Sequence, residues 1–176
     1  MTLRPLVAAL VIALVLPTGA AGSIPPDTAA LQFRGFRAGA RLAQLDSLLR
    51  RQGARLRCDR AKRDPKVSEC RGAVSDTALG PITVWVSAMD SAAGIITLSA
   101  AVDSSGLRRW RDDLERRYGR VPVRTQGGQS MLQWVRRGRM LRLTWRHERG
   151  GLTASVSLVD GRVLDAWGAQ RAAGSP

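Results

Sequence analysis

The fold is decided by residues 107–160, which read LRRWRDDLERRYGRVPVRTQGGQSMLQWVRRGRMLRLTWRHERGGLTASVSLVD. The first part has the spacing of an amphipathic helix, because its apolar residues recur every three or four positions. Three later runs, around residues 132–134, 141–145 and 152–158, alternate apolar and polar residues, as do strands with one buried face. The stretch therefore predicts a helix followed by three antiparallel strands. The tryptophans expected to be buried together between the helix and the sheet are Trp110, Trp134 and Trp145.

The first half of the chain repeats this order of elements. A leucine-rich helix over residues 42–52 ends at Gly53, and strand patterns follow it. These patterns cover residues 54–58, 68–74, 82–86 and 96–102. Residue identity between the halves is slight, so the repeat is one of pattern. We expect an α+β fold of two α-then-antiparallel-β units, with the helices packed on one face of an antiparallel sheet.

The N-terminal residues have the pattern of a secretory signal peptide. Arg4 precedes an uncharged apolar run from Leu6 to Leu16, and small residues follow near Ala21. The run is shorter than the roughly 20 residues that a membrane span needs. The predicted segments are a signal peptide (1–21), a flexible leader (22–32), a first unit with a disulfide (33–103), a second unit (104–164) and a flexible tail (165–176). The mature protein is therefore expected in the periplasm or outside the cell.

Cys58 and Cys70 are the two cysteines of the chain. An oxidising compartment favours joining such a pair, so we predict a structural disulfide between them. The alternative is a redox-active pair, which normally has two intervening residues and a helix N-terminus that lowers the thiol pKa. Neither feature is present in this sequence.

The charge of the chain is strongly positive. Its 28 basic and 14 acidic residues give +14, and only two of the basic residues, Lys62 and Lys66, are lysines. Arginine pairs in planar fashion with carboxylate and phosphate, which favours an anionic partner. The alternative is a genome whose base composition favours arginine codons.

The hairpin after the second helix has a readable register. A two-residue turn at Arg137 and Gly138 keeps every apolar pair on one face, whereas a slip of one residue would separate the pairs. The predicted pairs are Arg136 with Arg139, Trp134 with Leu141, and Leu132 with Leu143.

The start of the first unit resembles a family of small exported proteins. Phe33-Arg34-Gly35-Phe36, then Gly39, then the leucine helix closed by Gly53, is similar to the opening of the β-lactamase-inhibitor-like and SmpA/OmlA-like proteins. The resemblance implies an α/β unit used twice, with helices on one face and a concave face that grips a partner. It implies a non-enzymatic protein-binding module. The chain differs in having a single cysteine pair and no Ser or Thr at the start of the first helix, and no functional residue is carried over.

The sequence contains no pattern typical of an active site. His147, the one histidine, falls in a predicted turn, and the adjacent carboxylates Asp112 and Asp113 diverge on a helix. Gly127 and Gly128 lack the lysine and hydroxyl of a phosphate-binding loop. No set of His, Cys, Asp and Glu has metal-ligand spacing. We therefore expect no enzyme, no metal and no cofactor.

The most informative pattern is on the strand face opposite the core. Trp85 alternates with apolar core positions, so a large aromatic faces away from the core, and Trp, Met and Arg are enriched at protein interfaces. The predicted partner-binding residues are Trp85, Met131, Val135, Met140, Arg142 and Arg146. The alternative is that a loop or the leader folds over this face and buries Trp85.

Three functions remain open at this point. The first is an exported binding or inhibitory module that uses the helix-free sheet face on a protein partner. The second is a basic binder of anionic envelope components such as lipopolysaccharide, phosphate polymers or nucleic acid. The third is a small hydrolytic enzyme, which the residues favour least.

Overall fold

Eight strands form one continuous antiparallel sheet in the computed structural model, which describes residues 30–173. In chain order the elements are α1 (Leu42–Arg50), β1 (Arg57–Ala61), β2 (Asp64–Asp76), β3 (Gly80–Met89), β4 (Ala92–Val102), α2 (Ser104–Tyr118), β5 (Arg124–Gln126), β6 (Gln129–Arg136), β7 (Arg139–Glu148), β8 (Gly151–Asp160) and α3 (Gly161–Ala173). The strands are ordered β1-β2-β3-β4-β8-β7-β6-β5. The two halves therefore share a single sheet, which is joined where β4 pairs with β8. The predicted signal peptide lies outside the described residues.

The core lies against one face of this sheet, because alternate strand residues are buried. Two rows of paired residues cross it: Val84, Leu98, Val156, Leu143 and Leu132 in one row, and Val86, Ile96, Leu158, Leu141 and Trp134 in the next. All ten are buried, and they share one apolar cluster with Leu45 and Leu49 of α1 and Trp110 and Leu114 of α2. Apolar residues of α1 and α2 are thus part of the same buried cluster as the strand residues.

The start of α2 and the loop after it are fixed by specific hydrogen bonds. Asp103 caps α2, since its Oδ1 accepts the Gly106 backbone N–H at 2.6 Å. After the helix, Trp134 Nε1 donates to the Gly119 carbonyl at 2.7 Å. Trp110 and Trp134 are buried as predicted, but Trp145 is only partly buried. Its cross-strand neighbours, Ala154 and Ser130, are too small to cover its indole.

The predicted register of the β6–β7 hairpin is confirmed, since all three predicted residue pairs are present. In the first half, β1 ends at Ala61 and β2 begins at Asp64, so a two-residue turn joins them. Cys58 lies directly opposite Cys70 across these strands, and the predicted disulfide joins them.

The last residues of the predicted leader belong to the folded structure. Ala30 and Leu31 are buried, and the backbone of Gln32 forms two hydrogen bonds with the Tyr118 hydroxyl, at 2.9 and 2.8 Å. Residues 22–32 show no periodicity, so the sequence predicts that the fold starts at Phe33. The apolar side chain of Leu31 and the backbone hydrogen bonds to Tyr118 of α2 hold these residues in place. Neither kind of contact leaves a periodic pattern in the sequence.

Residues 161–173 form the helix α3, whereas the sequence predicts a flexible tail from residue 165. Asp160 fixes its start, because Oδ1 accepts the Arg162 backbone N–H at 3.1 Å and Oδ2 accepts Arg139 Nε at 2.9 Å. Farther along, Trp167 Nε1 donates to Asp64 Oδ2 at 2.9 Å. These polar contacts from distant elements hold a segment whose own composition carries no apolar stripe. None of the helices within residues 30–173 is long and apolar enough to span a membrane.

Asp160 is almost completely buried, at 1% exposure. Burial alone raises the pKa of its carboxyl, but the hydrogen bonds from Arg162 and Arg139 outweigh this and lower the pKa to about 2. Gly39 packs directly on this group, because a Cβ at that position would lie 2.4 Å from Asp160 Oδ2. The ionised carboxylate therefore ties β8 to β7, to α3 and to the segment before α1.

Candidate functional site: the polar face of the sheet

The sheet face opposite the core consists of partly or fully exposed side chains. We call it the polar face and define it by three transverse rows of paired residues on β3, β4, β8, β7 and β6. The rows are Trp85-Thr97-Ser157-Arg142-Gln133, Thr83-Ser99-Ser155-Thr144-Met131 and Ser87-Ile95-Val159-Met140-Val135. All of these residues are partly or fully exposed, whereas every core residue that alternates with them in the two core rows is buried. Trp85 is half-buried, and the leader residues before Ala30, which the alternative has folding over this face, lie outside the described residues.

The two middle strands give the polar face a floor of small hydroxyl residues. Thr97 Oγ1 lies 3.2 Å from Ser157 Oγ, and Ser99 Oγ lies 2.8 Å from Ser155 Oγ. The larger side chains stand to either side, on β3 and on β7. Since neighbouring strands lie about 4.8 Å apart, β3 and β7 are separated by roughly 14 Å. We call this region between Trp85 and Arg142 the trough: its floor consists of the four small hydroxyl residues, and Ile95 and Val159 bound it at one end.

Arg142 is the one cation in these three rows, and its guanidinium is held in place. Its Nε and Nη2 both donate to Gln133 Oε1, at 3.0 and 2.7 Å, and Nη2 lies 3.6 Å from Met140 Sδ. Gln133 stands directly opposite Arg142 on β6, and Ser157 stands opposite it on β8. The arginine side chain is thereby oriented before any partner arrives.

The other predicted partner-binding residues lie on the same face but differ in their surroundings. Arg146, farther along β7, is exposed and paired with Glu148 Oε1 at 2.5 Å. Val135 is 63% exposed, one of the most exposed large apolar residues of the chain. Met131 and Met140 are half-buried beside Arg142. The structure thus brings all six residues to one face, with Arg142, Met140, Met131 and Val135 adjacent and Trp85 across the trough.

Sequence reasoning missed the hydroxyl floor and Gln133. The signal was present, since Thr97 and Ser99 on β4 and Ser155 and Ser157 on β8 alternate with apolar residues. Small hydroxyl side chains are unremarkable on any solvated strand. Their placement side by side depends on the pairing of β4 with β8, which joins distant parts of the chain.

Away from this face, the residues of catalytic interest remain dispersed. His147 is exposed near the end of β7. Asp113 pairs with Arg116 and Arg117 on the outer surface of α2, at 3.2 and 3.1 Å. Within residues 30–173, no three His, Cys, Asp or Glu side chains come together as a metal site would require.

The six predicted partner-binding residues thus converge on the polar face. No protein-family model, curated protein or solved structure significantly matches this chain.

Proposed function

We propose that this chain is an exported, non-enzymatic binding or inhibitory module that holds a protein partner on its polar face. One observation carries the proposal: a face of partly or fully exposed side chains spanning five strands presents Trp85, Arg142 and the methionines around a floor of small side chains. Trp, Met and Arg are the residue types enriched at protein interfaces and their hot spots. A trough with such residues on its sides suits an inserted segment of another protein.

The proposal includes the two-unit organisation and export. The element order α1 with four strands, then α2 with four strands, supports a repeated unit, and the resemblance to exported inhibitor-like proteins points to the same use of an open face. The charged start and apolar run before Ala21 support export, as does a disulfide within the described chain. Intact mass of the exported protein tests the address. A mature N-terminus between Ala21 and Ser23 is expected, and a full-length mass would contradict export.

A site-specific photo-crosslinking experiment tests the partner site. The photoreactive residue p-benzoylphenylalanine replaces Thr97, at the centre of the polar face, in cells that export the protein. A matched control carries it at Arg109, which is exposed on α2. We expect a discrete protein adduct from Thr97 that is lost in Trp85→Ala and is absent from Arg109. Adducts of equal yield from both positions, or none from Thr97, would refute the proposed site.

A second function, binding of anionic envelope components, is favoured by a different observation. Arg57 and Arg71 face each other across β1 and β2, and Arg71 is in turn opposite Trp85. Directly opposed like charges destabilise a sheet unless an anion stands between them. Salt separates the two functions, because binding to a phosphate polymer falls steeply between about 50 and 200 mM salt. An adduct centred on an aromatic residue should persist over that range.

A further inference from the structure

Arg142, like Arg37, is a partly buried arginine that takes part in none of the ion pairs within residues 30–173, whereas Arg139 and Arg111 each have an acidic partner. Arg139 pairs with Asp160 at 2.9 Å and Arg111 with Glu115 at 2.8 Å. Within residues 30–173, Arg142 forms no ion pair with a carboxylate at 4.0 Å or less. The neutral side-chain oxygen of Gln133 accepts its hydrogen bonds instead. A half-buried guanidinium is thus oriented and desolvated without being neutralised.

The acids of the same face are too far away to compensate for this charge. Glu148 lies six residues along β7, about 20 Å at the rise of a strand, and it is already paired with Arg146. Glu69 lies opposite Ser87 on β2, four strands from Arg142 and therefore about 19 Å away. Both distances exceed the Debye length of roughly 8 Å at physiological ionic strength. The field of Arg142 on the trough is therefore unopposed.

The neighbours of Arg142 are suited to a single carboxylate. Ser157 lies opposite it with a hydroxyl that can donate when Thr97 Oγ1, 3.2 Å away, donates to Ser157 in turn, whereas the Thr144 hydroxyl already donates to the Ser155 carbonyl. Hydrogen bonds between a guanidinium and a carboxylate are short and charge-assisted. A phosphoryl group, by contrast, carries nearly two negative charges, which a single guanidinium matches less well than it matches a carboxylate.

Arg146, on the same strand as Arg142, is paired with Glu148. Arg124 on β5 lies on the same face opposite Met131, about 12 Å from Arg142 by strand spacing. No second arginine is therefore an immediate cross-strand neighbour of Arg142.

We propose that the polar face recognises an aspartate or glutamate side chain of its protein partner at Arg142, with the Ser157 hydroxyl as a second donor. This inference rests on the proposed function, because it assigns the partner's chemistry at that face. Gln133 is a positioning residue, since it holds Nε and Nη2 and leaves the rest of the guanidinium edge for the partner. The approach is from the trough, where the small residues of β4 and β8 leave space.

A titration with small probes tests the assignment on the intact protein. The probe is N-acetylglutamate α-amide, which has one carboxylate, and the matched control is its neutral analogue, N-acetylglutamine amide. We expect the acid to shift the Arg142 Nε–Hε and Ser157 N–H resonances saturably, with at most a small shift at Arg146. Equal shifts with the neutral analogue, or equal shifts at Arg146, would overturn the inference. So would inorganic phosphate binding about tenfold more tightly than the carboxylate.

Variants in the crosslinking experiment separate this inference from the function on which it rests. Arg142→Gln is expected to reduce the Thr97 adduct roughly tenfold or more, the effect of about 1.4 kcal/mol. Arg109→Gln, the matched control on the exposed surface of α2, should leave it unchanged, and Arg142→Lys should give an intermediate yield because it keeps the charge but not the fork. An adduct undiminished in Arg142→Gln overturns the inference and leaves the proposed function standing. If Thr97 forms no adduct, the proposed function fails, and the probe titration still decides the role of Arg142.

Discussion

Trp85 and Arg142 lie in one transverse row of the sheet, three strands apart, and both project from the polar face. Between them stand only Thr97 and Ser157, whose side chains are short. An aromatic plane and an oriented cation therefore face a common trough about 14 Å wide. A partner segment lying in this trough can contact both residues at once, which makes the pair the centre of the proposed interface.

Trp85→Ala should separate binding from folding. Trp85 is half-buried and no hydrogen bond of its indole contributes to the core, so we expect a loss of about 1 kcal/mol in the free energy of unfolding. The Thr97 crosslink should fall strongly, because aromatic anchors at an interface contribute about 2 kcal/mol or more. Urea melts and adduct yield measured on the same variant check both. A large loss of stability with the adduct intact would make Trp85 a core residue.

Two tryptophans of the core should respond differently to the same substitution. Trp134→Phe removes the hydrogen bond to the Gly119 carbonyl, whereas the buried Trp110 Nε1 has no acceptor among the described residues. Both changes remove similar volume, so the difference between them reports the hydrogen bond. We expect Trp134→Phe to cost about 1 kcal/mol more than Trp110→Phe in urea melts. Equal costs would mean that the Trp134 hydrogen bond contributes nothing net.

Asp160→Asn should destabilise the fold and remove part of its acid sensitivity. The folded-state pKa of Asp160 is lowered to about 2 from 3.8, so its ionisation stabilises the fold above pH 4. That contribution, roughly 2 kcal/mol, is lost as the pH falls from about 4 through about 2. Thermal melts between these pH values should show a shallower decline in the variant than in the wild type. The control, Asp113→Asn on the surface of α2, should change stability within about 0.5 kcal/mol.

Gly39→Ala should cost more than Gly53→Ala, although both glycines have positive φ, +83° and +73°. Alanine at either position meets the left-handed backbone penalty of about 1–2 kcal/mol. At Gly39 the new Cβ would also lie 2.4 Å from Asp160 Oδ2, while at Gly53 it would meet nothing within 4 Å. Urea melts compare the two. Equal costs would show that Asp160 moves aside freely.

Reduction of Cys58–Cys70 should weaken the fold while leaving the polar face usable. The bridge closes a loop with a sequence separation of 12, for which the chain-entropy model gives about 3 kcal/mol. The expected result is a lower melting temperature in reductant, and the same shift in a Cys58→Ala/Cys70→Ala variant. Loss of the Thr97 crosslink at a temperature where the reduced protein is folded would contradict this, because β1 lies two strands from Trp85.

The sequence indicates those parts of the fold that are encoded locally. The register of β6 and β7 follows from Arg137-Gly138 and the alternation around it, and the stripe from Leu107 to Tyr118 predicts α2. The helix α3 was missed because its contacts, such as Trp167 with Asp64, come from residues far away in the chain. The sequence places Trp145 in the core only because it falls on the apolar face of an alternating strand. Alternation does not show at which residue a strand extends beyond the helix that covers it.

The candidate site shows the same division. Alternation within each strand predicts that the side chains of Trp85 and Arg142 project from the face opposite the core. The strand pairing places both residues on that face. That they share a row depends on the pairing of β4 with β8, which no local pattern reports. The pairing of Arg142 with the neutral Gln133 follows from the hairpin register, but the distance of every acid from it is a property of the whole sheet.

The pairing of β4 with β8 also determines when a growing chain can finish folding. β4, an 11-residue strand with Ile96 and Leu98 on its buried face, has no second neighbour until β8 is available. β8 follows all the other described strands, so the apolar edge of β4 stays unpaired until β8 has been made. Such distant pairing slows folding. We expect a chain truncated before Gly151 to aggregate, and we expect the complete chain to depend on chaperones while the strand remains unpaired.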